Sequence, residues 1–145
     1  MYNPNGVEKS SDYKFNYNDH FFDFVFLTSV FTHMHTDDIN RYLEEISRVM
    51  KSKGRCLITF FLMNTESIEL IKKKKSTQNL IYRIDNISFT KDNNIPESAI
   101  GFDEDYVKEL FKKNGLNIIQ PIHYGSWCGR NNFISYQDMI VAEKI

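Results

Sequence analysis

Two apolar stretches decide how this chain folds: FDFVFLTSVF (Phe22–Phe31) and, one helix-length later, RCLITFFLM (Arg55–Met63). Each is apolar on both parities, the pattern of a strand covered on both faces. Between them, Thr36 offers a helix N-cap and Asp37 and Asp38 complement the positive end of a helix dipole. Ile39, Tyr42, Leu43, Ile46, Val49 and Met50 then recur at helical spacing. Lys53 and Gly54 read as a cationic last turn followed by a C′ glycine. The segment Phe22–Met63 is therefore predicted as strand, helix, strand with short connections, a right-handed crossover between two parallel strands.

Upstream, Met1–Asn18 opens with Asn-Pro-Asn-Gly (Asn3–Gly6) and has no period, which predicts an irregular lead-in. Downstream, Thr65–Lys75 predicts a helix with Ile68, Leu70 and Ile71 inward and lysines at its end. Thr77–Pro96 has no clean period and reads as an insertion with short strands or as a lid. Asp103–Asn114 predicts a second clear helix, with Tyr106, Val107, Leu110 and Phe111 on one face and Gly115 as its stop. Leu116–Ile122 and Tyr136–Ala142 are then two strands joined by a long loop, a wide antiparallel hairpin suited to the edge of a largely parallel sheet. With no repeat or linker, residues 1–145 form one α/β domain.

Composition excludes several classes of function. Eighteen basic against 19 acidic residues leave a net charge of -1, so the excess of positive charge that nucleic acid binding requires is missing. The longest apolar run, Cys56–Met63, is interrupted at Thr59 and is far short of the roughly 20 residues that span a bilayer. Met1–Asn5 lacks the cationic start of a secretory signal, so a cytoplasmic location is expected. Cys56 and Cys128 are isolated from one another in sequence and read as reduced thiols.

Three segments in order carry a family resemblance: FDFVFLTSVFTHM (Phe22–Met34), YLEEISRVMKSKGRCLITFF (Tyr42–Phe61) and SYQDMIVAEK (Ser135–Lys144). They resemble the second half of S-adenosylmethionine-dependent methyltransferases with a Rossmann-like sheet. The middle segment is the most specific. The family typically reads EI-x-RVLKPGGRLLIT there, and Glu45, Ile46, Arg48, Val49, Met50, Lys51, Gly54, Arg55, Leu57, Ile58 and Thr59 stand in register with it. Ser52 and Lys53 depart from it, standing where the family favours proline and glycine, and are expected in a solvent turn at little cost.

The resemblance implies a truncated sheet, strands four to seven of the family's seven with flanking helices, the last two forming an antiparallel hairpin. The first three strands would be absent, and with them the glycine-rich loop that lies against the cofactor and the acidic residue that holds its ribose. Gly101, Gly115, Gly125 and Gly129 are too scattered to replace that loop. Tyr2–Gly6 looks like the end of an Asn-x-x-Tyr-Asn-Pro-x-Gly stretch that family members carry just past the third strand. The chain is therefore expected to be the C-terminal half of a longer enzyme, one that transfers a methyl group to a small-molecule acceptor. Alone, it is expected to bind S-adenosylmethionine weakly or not at all.

Sites in open α/β sheets lie at the carboxyl ends of the parallel strands, which directs attention to Leu27–His33. There the resemblance puts Thr28 and Ser29 against the methionine part of the cofactor and Phe31 and His33 toward the acceptor, with His33 as general base. Phe31 equally reads as core and His33 as a hydrogen bonder at the helix entry. His33 and His35 form an H-x-H pair, but no carboxylate or cysteine cluster accompanies them, so no metal is expected. The loop YGSWCGRNN (Tyr124–Asn132) holds the only tryptophan between two glycines. In resembling proteins the segment lies near the mouth of the site, which makes Trp127 and Arg130 candidates for acceptor contact; Trp127 equally reads as a cover for the sheet edge. Gln137 is a further substrate-side candidate, and with Asp138 it starts the last strand and is placed to orient that loop. Lys72–Lys75 read as a solvated charge run.

A second reading makes the half-domain a non-catalytic interaction or oligomerisation module. Its motive is the strand Phe22–Phe31, which lacks a neighbour on one side, so that self-association through that edge or shielding by the lead-in is expected. A dehydrogenase of similar architecture fits less well, because the Arg48–Thr59 match and the terminal hairpin depart from a continuing parallel sheet.

Overall fold

The computed structural model describes residues 9–145; the Tyr2–Gly6 motif lies outside them. The main sheet contains β1 (Phe22–Leu27), β2 (Met50–Phe60), β7 (Leu116–His123) and β8 (Asp138–Lys144) in the order β1-β2-β8-β7. β1 and β2 are parallel, joined through α1 (Thr36–Val49), as the apolar pattern predicts. β8 runs antiparallel to both β2 and β7. The terminal hairpin therefore forms, but its last strand is slotted inside the sheet and β7 takes the edge. Pro121, which has no N–H to donate, sits on that edge strand within the register break between Ile119 and His123.

A second, smaller sheet, ordered β3-β6-β5-β4, is built from β3 (Leu62–Met63), β4 (Tyr82–Arg83), β5 (Ser88–Thr90) and β6 (Ile100–Asp103). It divides the predicted strand Arg55–Met63 in two at Phe61. It also resolves Thr77–Pro96 as an insertion with short strands. α2 (Thr65–Lys72) follows β3 and is capped by Asn64, whose side chain accepts from Ser67 N–H at 2.9 Å.

α3 (Glu104–Lys113) is capped by Asp103 and stopped at Gly115, whose φ of 69° suits glycine. α1 and α3 lie on one face of the main sheet. Ile39, Leu43 and Ile46 from α1 and Val107, Leu110 and Phe111 from α3 join Cys56, Ile58, Phe60, Ile140 and Ala142 in one core. Each such buried aliphatic or aromatic side chain contributes on the order of 1.5–3 kcal/mol.

Four expectations are corrected by the packing. First, β1 is not covered on both faces: it ends at Leu27, and Phe24 and Phe26 are 53% and 66% exposed. The cause is position, since β1 is an outer strand and both helices lie on the opposite face. Second, α1 stops at Val49 rather than Lys53, and Met50 passes directly into β2. Third, Gly54 is no helix cap. A Cβ there would meet Lys51 O at 2.8 Å and the carbonyls of Phe22 and Asp23 at 3.2 Å, so glycine is needed where β2 presses against β1. Lys53 holds the left-handed conformation instead, at φ 64°. Fourth, the N-cap of α1 is His35, whose N–H donates to Asp38 Oδ2 at 3.3 Å, and Thr36 is already the first helical residue.

The irregular lead-in is tied to α1 by charge. Arg48 donates to the carbonyl oxygens of Phe15 and Tyr17 (2.9 Å each), to Asp19 Oδ1 (2.7 Å) and to both oxygens of Glu45. The buried Glu45 carboxylate also accepts Phe15 N–H at 2.8 Å. The Arg48 hydrogen bond holds the Glu45 carboxyl below the ordinary carboxylate range, against the opposing effect of burial.

Candidate active site

The carboxyl ends of β1 and β2 and the first residue before β8 meet in a small polar cluster. After β1 the chain turns through Ser29, which takes a left-handed φ of 57°. That turn aims Ser29 N–H at Thr59 Oγ1 (2.9 Å), while Ser29 Oγ donates to Gln137 Oε1 at 3.2 Å. Thr59 Oγ1 donates to the same Gln137 oxygen at 2.5 Å. Two predicted residues, Ser29 and Gln137, from opposite ends of the sequence are thus brought together, with Thr28 exposed beside them. Thr59 joins them unpredicted. Its signal was present all along as the one polar residue in the run Cys56–Met63.

One residue further on, Asp138 anchors a second cluster. Its fully buried carboxylate accepts Leu62 N–H, Gly125 N–H and Trp127 Nε1–H, each at 2.7 Å, and pairs with Arg130 at 3.1 Å. Burial pushes the Asp138 carboxyl above its ordinary value, while these donors and the guanidinium pull the other way. Arg130 also reaches Glu66 at 2.7 Å, Gly125 O at 3.2 Å and Asn64 Oδ1 at 3.3 Å, and lies 4.8 Å above the Tyr124 ring. Tyr124 donates to Glu104 Oε1 at 2.9 Å, and its hydroxyl is pushed up to about 12 by burial and by that carboxylate. Gly125 is required here, because a Cβ would drive into the Tyr136 carbonyl oxygen.

Trp127 and Arg130 therefore come together, but on Asp138 rather than on an open surface. Trp127 is fully buried against Phe61 at a ring distance of 5.1 Å, and Arg130 is buried with it. Their geometry locks the loop Tyr124–Arg130 to β3, α2 and the start of β8. Phe31 is also fully buried, 5.4 Å from the Phe60 ring and 6.3 Å from Tyr42. Of its two readings, core is the one the packing realises, because the chain leaves the sheet after Leu27 and the Phe31–His33 turn packs against β2 and β6.

His33 lies in that turn, and its Nδ1 is 2.7 Å from the backbone oxygen of Glu97. A carbonyl only accepts, so Nδ1 carries the proton and Nε2 the lone pair in the neutral ring. His35 Nε2 stands 3.3 Å from Glu97 Oε1. Glu97, which sequence reasoning passed over, thus organises both histidines from the insertion that precedes β6. Among the described residues, no three His, Cys, Asp or Glu side chains are grouped as a metal site, and no helix is long and apolar enough to cross a membrane. A groove of about 520 Å³ between α1 and α3, lined by Thr36, Asn40, Tyr106 and Leu110 among others, shares no residue with either polar cluster. The carboxyl-end clusters, not this groove, occupy the position where open α/β sheets hold their ligands.

Residues 4–58 match the family model described as a methyltransferase domain. Among solved structures, the chain is similar to a SAM-dependent methyltransferase from Methanosarcina mazei, with 20% identity and a TM-score of 0.63 over 97% of this chain and 66% of that one. It is also similar to a protein from Pyrococcus horikoshii, with 18% identity and a TM-score of 0.60 over 95% of this chain and 57% of that one. The third is the 1,6-didemethyltoxoflavin-N1-methyltransferase of Burkholderia thailandensis, solved with 1,6-didemethyltoxoflavin and S-adenosylhomocysteine bound. It shares 15% identity and a TM-score of 0.53 over 96% of this chain and 49% of that one. These similarities establish a Rossmann-like α/β fold with a mixed sheet, and the chain spans about half to two thirds of the length of the structures it matches.

Proposed function

We propose that this chain is the acceptor-side part of an S-adenosylmethionine-dependent methyltransferase acting on a small molecule. The observation that carries the reading is the Ser29–Thr59–Gln137 cluster at the carboxyl ends of β1 and β2, on a fold shared with methyltransferases. The match of residues 4–58 to a methyltransferase domain supports it. So does the Burkholderia neighbour, which was solved with both 1,6-didemethyltoxoflavin and S-adenosylhomocysteine bound.

The cofactor would supply an electrophilic methyl group on a sulfonium. The described residues fit it in part. Thr28, Ser29 and Gln137 offer hydroxyl and amide groups for its charged methionine end, but no glycine-rich strand-turn-helix lies among residues 9–145 to receive the remainder. Binding by this chain is accordingly weak. The chain's own work is positioning, which dominates an in-line displacement. The Asp138 clamp holds Gln137 and the end of β2 in place, and His33, held by the Glu97 carbonyl, is assigned the proton of the acceptor.

The test is titration of the isotope-labelled chain with S-adenosylhomocysteine, followed by amide shifts. Shifts confined to Thr28, Ser29, Thr59 and Gln137 at millimolar ligand are expected. Their absence, or their appearance around the groove between α1 and α3, removes the cofactor assignment. Micromolar affinity by calorimetry refutes the partial site.

A further inference from the structure

We infer that Thr59 and Ser29 lock the side-chain amide of Gln137 in one orientation, so that its Nε2 meets a ligand as a hydrogen-bond donor and the ligand presents a carboxylate or carbonyl oxygen to it. The register of the main sheet brings the three residues together. Thr59 pairs with Met139 across β2 and β8, which sets Gln137, two residues before Met139, diagonally beside Thr59 on the same face. Asp138, held by Leu62, Gly125, Trp127 and Arg130, fixes the chain at the next residue. Ser29 reaches the pair from the end of β1 by holding a left-handed φ of 57°, a conformation that a residue with a β-carbon keeps only where its surroundings impose it.

The hydroxyl protons fix the orientation. Thr59 is 4% exposed, and its Oγ1 already accepts Ser29 N–H at 2.9 Å. Its own hydroxyl proton therefore needs an acceptor, and Gln137 Oε1 stands 2.5 Å away. Ser29 Oγ donates to the same oxygen at 3.2 Å. Turned the other way, the amide would set its N–H donors against two hydroxyls and strand the buried Thr59 proton. With both hydroxyls on Oε1, Nε2 lies on the far side of the amide with two donors and no lone pair. At the site proposed above, on which this assignment rests, such a group takes an oxygen and refuses an ammonium. Two sources can supply that oxygen: the carboxylate of the cofactor's methionine end, or a carbonyl or carboxylate of the acceptor. Thr59 is thus a positioning residue that acts through Gln137.

Proton–nitrogen spectra of the full chain test this, with benzoate as the probe for an oxygen acceptor and benzamidinium as its donor-only counterpart. Benzoate is expected to shift the Gln137 side-chain amide at millimolar concentration, and benzamidinium to leave it in place. Thr59→Val, which keeps the shape and removes the hydroxyl, should return the Gln137 Nε2 resonance toward that of a free glutamine and weaken benzoate at least about fivefold. Thr59→Ser should preserve both. Gln137→Glu accepts the same two hydroxyls but has no donor, so it should lose benzoate with unchanged far-ultraviolet dichroism. A Gln137 resonance unmoved by Thr59→Val, or shifted as strongly by benzamidinium as by benzoate, overturns the inference. S-adenosylhomocysteine carries the methionine carboxylate and methylthioadenosine lacks it, so a Gln137 shift with the first alone makes the cofactor the source of the oxygen. Benzoate shifts without any response to S-adenosylhomocysteine uphold the Gln137 assignment and remove the cofactor reading. Shifts by S-adenosylhomocysteine at Thr28 and Ser29, with none at Gln137 from either ligand, keep that reading and overturn the inference.

Discussion

Asp138 and Arg130 form an ion pair with both side chains shut away from water: Oδ1 and Nη1 are 3.1 Å apart, and the side chains are 0% and 4% exposed. Both sides are further satisfied, the carboxylate by three N–H donors and the guanidinium by Glu66, Gly125 and Asn64. A buried pair of this type adds little by itself, but removing one partner leaves the other desolvated and uncompensated. Asp138→Ala strands Arg130 together with Trp127 Nε1–H, Gly125 N–H and Leu62 N–H. The expected loss is about 3–5 kcal/mol, read as a lower urea midpoint. A loss under about 1 kcal/mol would mean that water replaces the carboxylate.

Lys53 and Gly54 separate two effects that the sequence motif merges. Lys53 holds φ 64° with a β-carbon, so Lys53→Gly is expected to stabilise the chain by roughly 0.5–1 kcal/mol, the relief of left-handed strain less the added freedom of the unfolded chain. Gly54→Ala is expected to destabilise it, because the new Cβ meets Lys51 O at 2.8 Å. Thermal melts of the two variants should move in opposite directions; a shared sign would contradict the assignment.

Glu45 makes the lead-in sensitive to acid. Its folded pKa is depressed, chiefly by the Arg48 hydrogen bond, so its contribution is complete above the unfolded carboxylate range and fades as pH falls through the folded value. Glu45→Gln should therefore cost about 1–2 kcal/mol at neutral pH. The wild-type and variant stability curves should converge as the pH drops through the carboxylate range. Curves that stay parallel would show that the charge of Glu45 does not hold Phe15 and Arg48 in place.

The Glu97 carbonyl sets the tautomer of His33. In long-range proton–nitrogen spectra recorded at alkaline pH, His33 should show the proton on Nδ1. A proton on Nε2 would remove His33 as an acceptor of the substrate proton and leave it a turn residue.

Much of the architecture was legible along the chain. The βαβ unit follows from apolar residues on both parities flanking a helical repeat, α3 from its period and Gly115, and the hairpin from two strands around a long loop. Of the candidate site, Ser29 and Gln137 could be named because strand ends are where ligands sit, although 108 residues separate them. Thr59 and Glu97 were harder to see. A threonine in a strand and a glutamate in an insertion acquire meaning only from what folds against them.

Local pattern alone located β1, α1, the core of β2, α2, α3 and the two strands of the terminal hairpin, because periodicity and turn chemistry act over a few residues. Tertiary structure alone decided which faces are covered, and that depends on which elements pack together. Phe31 and Trp127 became core, Gly54 became a point of strand contact, β8 entered the sheet between β2 and β7, and Phe24 and Phe26, apolar enough to read as buried, face outward on the outer strand of the sheet formed by the described residues.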